Sequence, residues 1–183
     1  MHTLTTARLT LRQWREADLA PFAAMNADPV ATQFLSRRLS RVESDEFARR
    51  LQGQLAARGW GLWAVEHRTG GTFLGFVGLA APGFEAHFTP CTEIAWRLAR
   101  EHWGCGYATE AARECLRFAF ETLALPEVVS FTALENVRSQ AVMRRLGMRP
   151  HGAFDHPRLP PGHRLRSHVL YRLAQSDWPA AGA

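Results

Sequence analysis

Two glycines near the middle of the chain stand where a ligand could approach the backbone closely. Gly104 and Gly106 follow a predicted strand and directly precede an apolar periodic segment that begins at Tyr107. Glycine lets main-chain amides come near a ligand, and the free amides at the start of a helix attract anions. The segment therefore predicts an anion site suited to a pyrophosphate, unless the glycines do no more than turn the chain.

A dinucleotide-binding loop is an alternative interpretation of the same glycines. Such a loop needs a third glycine and an acidic residue about 20 positions later, after a second parallel strand. Here Thr109 occupies the third glycine position, and Glu127 stands before the next predicted strand rather than after it. The spacing therefore disfavours a dinucleotide cofactor.

A second set of polar residues follows the next predicted strand. Asn136 ends that strand and is a residue type that caps helices through its side-chain oxygen. Ser139 lies about one helical turn later and would face the same end of the sheet. Capping is enough to explain Asn136, so a structural role and a chemical role both stay open here.

The strands and helices that must position these residues can be predicted from the periodicity of the apolar side chains. A two-residue period predicts a strand, and a period near 3.6 residues predicts a helix. Ser40 and Glu43 have the spacing of a capping box, and Gly147 fits a left-handed position after a helix. We predict strands at 8–13, 60–67, 72–79, 92–98, 128–133, 148–154 and 168–173, and helices at 16–25, 40–59, 107–123 and 138–146.

The order of these elements predicts an α/β (α+β) fold with one mixed sheet and helices on its faces. Strands 60–67 and 72–79 are separated by a tight turn and should form an antiparallel hairpin. The length of 183 residues favours a single domain. We place this domain at residues 1–178 and a flexible tail at 179–183.

The composition excludes several classes of mechanism. All 22 basic residues are arginine, and the formal net charge is +5. A chain without lysine cannot form a lysine Schiff base or a phosphate loop that ends in Gly-Lys-Ser. Arginine binds phosphates through two parallel hydrogen bonds, so a nucleic acid or a phosphorylated cofactor would suit this surface. A genome that replaces lysine by arginine throughout would explain the same bias.

Neither a membrane segment nor a metal site is expected. No apolar run approaches 18 residues, and the N-terminal residues lack the features of a signal peptide, so we predict no membrane contact and a cytoplasmic location. Cys91, Cys105 and Cys115 form no Cys-x-x-Cys pair. His156, His163 and His168 are close in the chain, but their spacing fits no helical metal site.

At this point the motifs carry a resemblance to a known family. The loop Gly104-x-Gly106-Tyr107-Ala108-Thr109-Glu110, with Asn136-x-x-Ser139 and Leu146-Gly147-Met148, resembles the GNAT superfamily of acyl-CoA-dependent N-acetyltransferases. The similarity extends over nearly the whole chain, from Arg8 to Tyr171, and is greatest to the branch that contains the ribosomal-protein alanine N-acetyltransferases. The resemblance implies a mostly antiparallel seven-stranded mixed sheet that splays after its fourth strand, with helices on both faces.

The resemblance also implies the position of acetyl-CoA. Its pantetheine arm would lie against the exposed backbone of the fourth strand, and its pyrophosphate would bind the amides of the glycine loop. Asn136 would contact the pantetheine arm. The cofactor-binding residues implied in this way are Ala95, Trp96, Leu98, Gly104, Cys105, Gly106, Tyr107, Ala108, Thr109, Asn136 and Ser139.

The implied reaction is direct attack of an amine on the thioester. Glu93 is the implied base, acting through water, and an amide near Ala95 or Trp96 would stabilise the oxyanion. Glu93 could instead be a strand-end carboxylate paired with Arg97 or Arg100.

Two positions depart from the family pattern. Glu101 stands where a Gln or Arg usually opens the loop, so the pyrophosphate would depend on amides, with Arg100 as a possible helper. Met143 stands where many relatives have a tyrosine that protonates the thiolate. Ser139 would replace that tyrosine as the acid, as a serine does in the alanine-acetyltransferase branch. Alternatively the thiolate needs no protein acid, and Ser139 would only cap the helix or contact the cofactor.

The acceptor pocket is the least specified part of the sequence. Phe34, Trp60 and Trp63 could form its wall. Residues 154–163 resemble a loop that closes the pocket in this branch, so Asp155, His156 or His168 could orient the amine.

The expected activity is acetyl transfer to a primary amine, either a protein N-terminus or a small molecule, by a monomer or a homodimer. A catalytically inactive acyl-CoA-binding module is the alternative. An RNA- or ribosome-binding protein is disfavoured, because the arginines are spread along the chain rather than clustered.

Overall fold

The computed structural model describes residues 2–178, and the predicted tail at 179–183 lies outside the described residues. The structure has one open mixed sheet of eight strands and four α-helices in this range. The elements are β1 (Leu4–Thr5), β2 (Leu9–Arg12), α1 (Leu19–Ala27), α2 (Arg41–Arg58), β3 (Leu62–His67), β4 (Phe73–Ala80), β5 (Glu93–Leu98), α3 (Tyr107–Arg117), β6 (Glu127–Ala133), α4 (Val137–Arg145), β7 (Arg149–Asp155) and β8 (Ser167–Ala174).

The described residues divide into two compact units, and the division falls within β5. Residues 2–79 and 95–115 form the first unit, and residues 80–94 and 116–178 form the second. The prediction of a single domain over 1–178 stays a prediction. No helix among residues 2–178 is long and apolar enough to cross a membrane.

The first unit has the strand order β1-β2-β3-β4-β5. The ladders of β1 with β2, β2 with β3 and β3 with β4 are antiparallel, which confirms the hairpin predicted around residues 69–71. Its core contains Phe22 from α1, Leu55 from α2 and Trp63 from β3, all fully buried. The aromatic ring of Phe22 lies edge-on to that of Trp14, with centroids 4.9 Å apart.

The helix α2 begins and ends as its sequence predicts. The Ser40 side chain accepts a hydrogen bond from the Glu43 amide, and the Glu43 carboxylate accepts one from the Ser40 amide. Gly59 ends the helix in the left-handed conformation, with φ +78°. The buried residues of α2 lie about one turn apart, so one face of the helix packs on the unit and the other faces water.

The second unit has the strand order β5-β6-β8-β7. Strands β5 and β6 run parallel, and Glu93 lies opposite Val129. The Ser130 hydroxyl donates to the Ile94 carbonyl at 2.9 Å and so fixes this register. Strand β8 pairs antiparallel with both β6 and β7, which confirms the predicted final strand pair.

Three details differ from the sequence prediction. The eighth strand is β1, whose two residues are too few to show a periodicity. The helix predicted at 16–25 begins with a 3-10 turn at Glu16–Asp18, where the Asp18 carboxylate accepts the Arg15 amide. The helix predicted at 107–123 is α-helical to Arg117 and continues as a π-helix over Phe118–Thr122.

Gly75 holds β4 close to the backbone of β5. A Cβ added to Gly75 would lie 2.8 Å from the Cα of Leu98 and closer still to the Arg97 carbonyl, and its φ of +138° is unfavourable for other residues. We therefore expect Gly75→Ala to lower the free energy of unfolding by at least about 2 kcal/mol, measured by urea denaturation.

Gly53→Ala is the matched control for this substitution. Gly53 lies within α2, and an added Cβ would meet no atom within 4 Å. Alanine at this position should raise the free energy of unfolding by about 0.5–1 kcal/mol. Equal effects of the two substitutions would contradict the role given to Gly75.

Candidate active site

The loop before α3 has the backbone geometry of an anion site. Gly104 and Gly106 both adopt the left-handed conformation, with φ of +78° and +80°. Among residues 2–178, no acceptor is found for the main-chain amides of residues 104–109, whereas the next amide, of Glu110, donates to the Gly106 carbonyl. Consecutive unpaired amides at a helix start carry the positive end of the helix dipole and can bind a phosphate.

Arg8 ties this loop to the edge of the sheet. Its Nη1 donates to the Cys105 carbonyl at 3.0 Å, its Nη2 lies 2.6 Å from the Glu110 carboxylate, and its guanidinium lies 4.6 Å from the Tyr107 ring centroid. The Thr6 hydroxyl also donates to Glu110, at 2.6 Å. Burial opposes ionisation of Glu110, but these hydrogen bonds dominate and lower its pKa. The negative charge of Glu110, in the first turn of α3, is therefore paired with Arg8.

Glu93 is the first residue of β5. Among residues 2–178, its carboxylate makes no hydrogen bond or ion pair, although its side chain is only partly exposed. Burial raises the pKa of Glu93 to about 8. The alternative pairing with Arg97 or Arg100 is not observed, since Arg97 donates to Asn26 and Arg100 is exposed.

Asn136 and Ser139 form the helix cap that the sequence predicts. The Asn136 side-chain oxygen accepts the Ser139 amide at 3.3 Å. The Asn136 Nδ2 donates to the Ser139 hydroxyl at 3.0 Å and to the Thr132 hydroxyl at 2.9 Å. Because the Ser139 oxygen is an acceptor in this arrangement, its own proton stays available to another group. Met143, one helical turn further, is buried in the core at 1% exposure.

An aromatic cluster in the second unit contains two of the predicted acceptor residues. His156 and His168 lie with ring centroids 4.9 Å apart, and His168 is opposite Phe154 in the β7–β8 ladder. Burial lowers the pKa of both imidazoles, that of His156 to about 4. The phenylalanine rings in contact with this pair are those of Phe84, Phe131 and Phe154, and Phe88 packs against Phe154.

Asp155 is engaged in a surface contact. Its carboxylate accepts from Arg166 Nε at 2.9 Å and from the Ser167 hydroxyl at 3.2 Å. The hydrogen bond from Arg166 lowers the pKa of Asp155. Asp155 is therefore a charged acceptor with Arg166 already bound to it.

In the first unit, the tryptophans predicted for the acceptor differ in exposure. Phe34 and Trp60 are partly buried, whereas Trp63 is fully buried and donates its indole N–H to the His2 carbonyl at 2.8 Å. Trp63 therefore packs the core and does not line a pocket. The carbonyl of Leu98 accepts a hydrogen bond from the Trp103 indole N–H at 2.8 Å. The main-chain oxygen of Leu98, one of the predicted cofactor-binding residues, therefore already has a partner.

The predicted site residues divide into two groups, one in each unit. The first unit holds Phe34, Trp60, Ala95, Trp96, Leu98, Gly104, Cys105, Gly106, Tyr107, Ala108 and Thr109, and the second holds Glu93, Asn136, Ser139, Asp155 and His156. Within residues 2–178, no three His, Cys, Asp or Glu side chains are grouped so that they could hold a metal ion.

Sequence reasoning missed Arg8 and Glu110, which are 102 residues apart in the chain. No local pattern indicates such a contact. The pairing of His156 with His168, in contrast, could have been found by setting the predicted strands 148–154 and 168–173 in register, because their side chains alternate between two faces.

This fold and the glycine loop are those of the GNAT class of acetyltransferase domains. Residues 8–149 match the model of the acetyltransferase (GNAT) domain, and the chain belongs to this family. GNAT acetyltransferases use acetyl-CoA.

The chain is also similar to individual proteins. The chain is 31% identical over 146 residues to the uncharacterized protein YkkB of Bacillus subtilis, covering 79% of this chain and 84% of that protein. It is 39% identical over 94 residues to the FsC-acetyl coenzyme A-N(2)-transacetylase of Aspergillus fumigatus, covering 49% of this chain and 39% of that protein. A structure of RimL, a ribosomal L7/L12 alpha-N-protein acetyltransferase in complex with coenzyme A, shares the fold with a TM-score of 0.75 at 15% identity, over 96% of this chain and 99% of that chain.

Proposed function

We propose that this chain transfers an acetyl group from acetyl-CoA to a primary amine. The observation that carries the proposal is the row of unpaired amides at residues 104–109, which begins with a left-handed glycine and ends in the first turn of α3. Calorimetric titration with acetyl-CoA, free CoA and NADH tests it. We expect micromolar binding of acetyl-CoA and none of NADH, and a folded protein that binds no acetyl-CoA would contradict the proposal.

Acetyl-CoA is proposed to bind mainly to main-chain groups of the first unit. The amides of Gly104, Cys105, Gly106, Tyr107 and Ala108 would hold the pyrophosphate, with Thr109 beside them in the same helix turn. The backbone of Ala95, Trp96 and Leu98 in β5 would contact the pantetheine arm, and an amide near Ala95 or Trp96 would stabilise the oxyanion. Asn136 of the second unit is proposed to contact the pantetheine arm.

The proton transfers are proposed for two residues of the second unit. Glu93, in its ionised form, takes a proton from the attacking amine through water. Attack of the amine nitrogen on the thioester carbon forms the new N–C bond and a tetrahedral oxyanion, and collapse of this oxyanion breaks the C–S bond, whose electron pair leaves with sulfur. Ser139 gives its hydroxyl proton to that thiolate, and the proton that Glu93 took from the amine returns through solvent to the Ser139 oxygen. With a pKa near 8, Glu93 is a stronger base than an ordinary carboxylate and is still substantially ionised in mildly alkaline solution.

The acceptor is proposed to be a protein N-terminus or a small-molecule amine. The imidazoles of His156 and His168 support an amine site, because their lowered pKa values keep them neutral at pH 7 and they would not repel a cation. Phe34 and Trp60 are partly exposed and are proposed to contact the acceptor. Asp155 would take part only if its contact with Arg166 opened. A monomer or homodimer and a cytoplasmic location stay predictions.

A catalytically inactive acyl-CoA-binding module is the second candidate. It is supported by Met143, which is buried and cannot donate a proton. The two candidates differ in whether the chain releases free CoA from acetyl-CoA when primary amines are added. Because the chain contains no lysine, its own amines do not include a side-chain ammonium that could give a background signal.

Nucleic acid binding has less support in the structure. Many arginines make ion pairs within the chain, among them Arg8, Arg12, Arg37, Arg41, Arg166 and Arg172. A nucleic-acid binder would lose affinity steeply with added salt, which a filter-binding titration would reveal.

Arg8→Ala should separate pyrophosphate binding from chemistry. Loss of the contacts to Cys105 and Glu110 frees the loop and leaves the Glu110 charge unpaired near the pyrophosphate. We expect the KM for acetyl-CoA to rise about 10-fold or more. The kinetics with S-acetylpantetheine, which has no pyrophosphate, should change little.

Arg15→Ala is the control for Arg8→Ala. Arg15 makes an ion pair with Glu66 at the surface of the same unit, with 61% of its side chain exposed. Its removal should leave the kinetics with both thioesters unchanged. Equal losses of Arg8→Ala with acetyl-CoA and S-acetylpantetheine would contradict a role of Arg8 in holding the pyrophosphate loop.

A further inference from the structure

Arg97 is a largely buried cation for which residues 2–178 provide no counter-ion. Its Nη1 donates to the Asn26 side-chain oxygen at 2.6 Å, and its guanidinium lies 5.2 Å from the Phe76 ring centroid. Among residues 2–178, no carboxylate forms an ion pair with Arg97. Burial alone lowers the pKa of Arg97 to about 10, so the guanidinium is still charged at pH 7.

A second buried arginine in the same unit shows the usual arrangement. Arg12 contacts Asp18 at 2.7 Å and Glu66 at 2.7 Å, and hydrogen bonds to these carboxylates raise its pKa against the effect of burial. Burying a charge is unfavourable unless it is paired, and an arginine cannot escape this cost by losing its proton. Among the residues that the structure describes, Arg12 has such carboxylate partners and Arg97 has none.

The free donors of Arg97 are accessible to a ligand. Nη1 is bound to Asn26, but none of the remaining guanidinium nitrogens is a buried atom without a hydrogen-bond partner. These nitrogens therefore keep some exposure, in a side chain that is mostly buried. Asn26 is fully buried and is itself held by Ser44, to whose hydroxyl it donates at 2.9 Å, so the guanidinium has a fixed position.

Alternation along β5 puts Arg97 on the same face of that strand as Glu93. We propose that Arg97 binds a carboxylate of the amine acceptor, so that the acceptor is an amino acid or a similar amine that carries an anionic group. This inference rests on the proposed acetyltransferase function and defines the chemical class of its acceptor. A planar guanidinium with free donors binds a carboxylate through two parallel hydrogen bonds, which gives selectivity as well as affinity.

The test uses pairs of amines that differ in one charge. Short primary amino acids are supplied in parallel as the free acids and as the corresponding carboxamides, and CoA release is measured at saturating acetyl-CoA. We expect kcat/KM to be at least about 10-fold higher for the acids. Arg97→Gln should raise the KM for the acids about 10- to 100-fold and leave the carboxamides and the KM for acetyl-CoA nearly unchanged.

Asn26→Asp gives a test that does not depend on removing the arginine. The new carboxylate would pair with Arg97 in place, while the Ser44 hydroxyl can reverse its hydrogen bond to donate. This variant should be at least as stable to heat as the original chain and should still show a raised KM for the acids. Arg41→Gln, which removes an exposed ion pair with Asp45, is the matched control and should change neither quantity.

The outcomes separate this inference from the proposed function. A chain that binds no acetyl-CoA contradicts the acetyltransferase itself. A chain that binds acetyl-CoA but uses no acid in the panel, or uses acids and carboxamides equally, overturns the Arg97 inference alone. An acid preference that survives both Arg97→Gln and Asn26→Asp overturns it as well.

Discussion

Glu93→Gln should lower kcat by about 100-fold or more, with little change in the affinity for acetyl-CoA. Glutamine keeps the shape of the side chain but cannot accept the amine proton, and a positioned general base typically contributes at least about 100-fold. Initial rates of CoA release and calorimetric titration of acetyl-CoA measure the two quantities. Glu135→Gln, which removes an exposed contact with Arg164, is the control and should retain full activity.

The pH profile gives an independent test of Glu93. As the base must be ionised, kcat/KM should rise with pH through about 8, the pKa that burial gives to Glu93. The Glu93→Gln variant should lose this rise and keep only the dependence that comes from the acceptor amine. If the two profiles have the same shape, Glu93 is not the base.

Stability should also depend on pH through Glu93. Burial raises its pKa from 4.5 to about 8 in the folded chain, so between these values the folded state holds a proton that the unfolded state has lost. The free energy of unfolding should therefore fall as pH rises through this window. Glu93→Gln removes that dependence, so the inactive variant should be more stable than the original chain at pH 9, which urea denaturation would show.

Ser139→Ala should lower kcat by about 100-fold if the hydroxyl protonates the departing thiolate. The KM for acetyl-CoA should change much less, because Asn136 keeps its bond to Thr132. Ser139→Thr retains the hydroxyl and should restore much of the activity. Stopped assays with acetyl-CoA and the best amine of the acceptor panel measure these differences.

Thr132→Val separates an acid role for Ser139 from a role in holding Asn136. The Thr132 and Ser139 hydroxyls both accept a hydrogen bond from the Asn136 Nδ2, at 2.9 and 3.0 Å. Each substitution removes one of these bonds, but only Ser139→Ala removes a candidate proton donor. Equal losses of activity in the two variants would show that Ser139 acts by positioning Asn136.

The parts of the fold that were predictable depend on residues close in the chain. The capping box at Ser40 and Glu43, the end of α2 at Gly59, the left-handed Gly147 and the β3–β4 hairpin all follow from local geometry. The glycine loop before α3 was predictable for the same reason. The two-residue β1 was not, because it is defined by its pairing with β2 rather than by its own sequence.

The electrostatic environment of the site could not be predicted from the chain alone. The sequence places Glu93 and Arg97 on one strand, but not the desolvation that shifts their pKa values in opposite directions. That desolvation depends on packing, and the Asn26 contact of Arg97 joins residues 71 positions apart. The Arg8–Glu110 contact was unpredictable for the same reason, because it joins residues from the start of the chain and from α3.

The register of β5 limits how the chain can change in length. Because side chains alternate along a strand, a single inserted residue within β5 would turn Glu93 and Arg97 to opposite faces. The Ser130–Ile94 hydrogen bond and the close approach of Gly75 to Arg97 hold the strand at separate points, and a residue inserted between these points would break at least one of them. Insertions and deletions in this family should therefore collect in the loop at residues 81–92 and spare the six residues of β5.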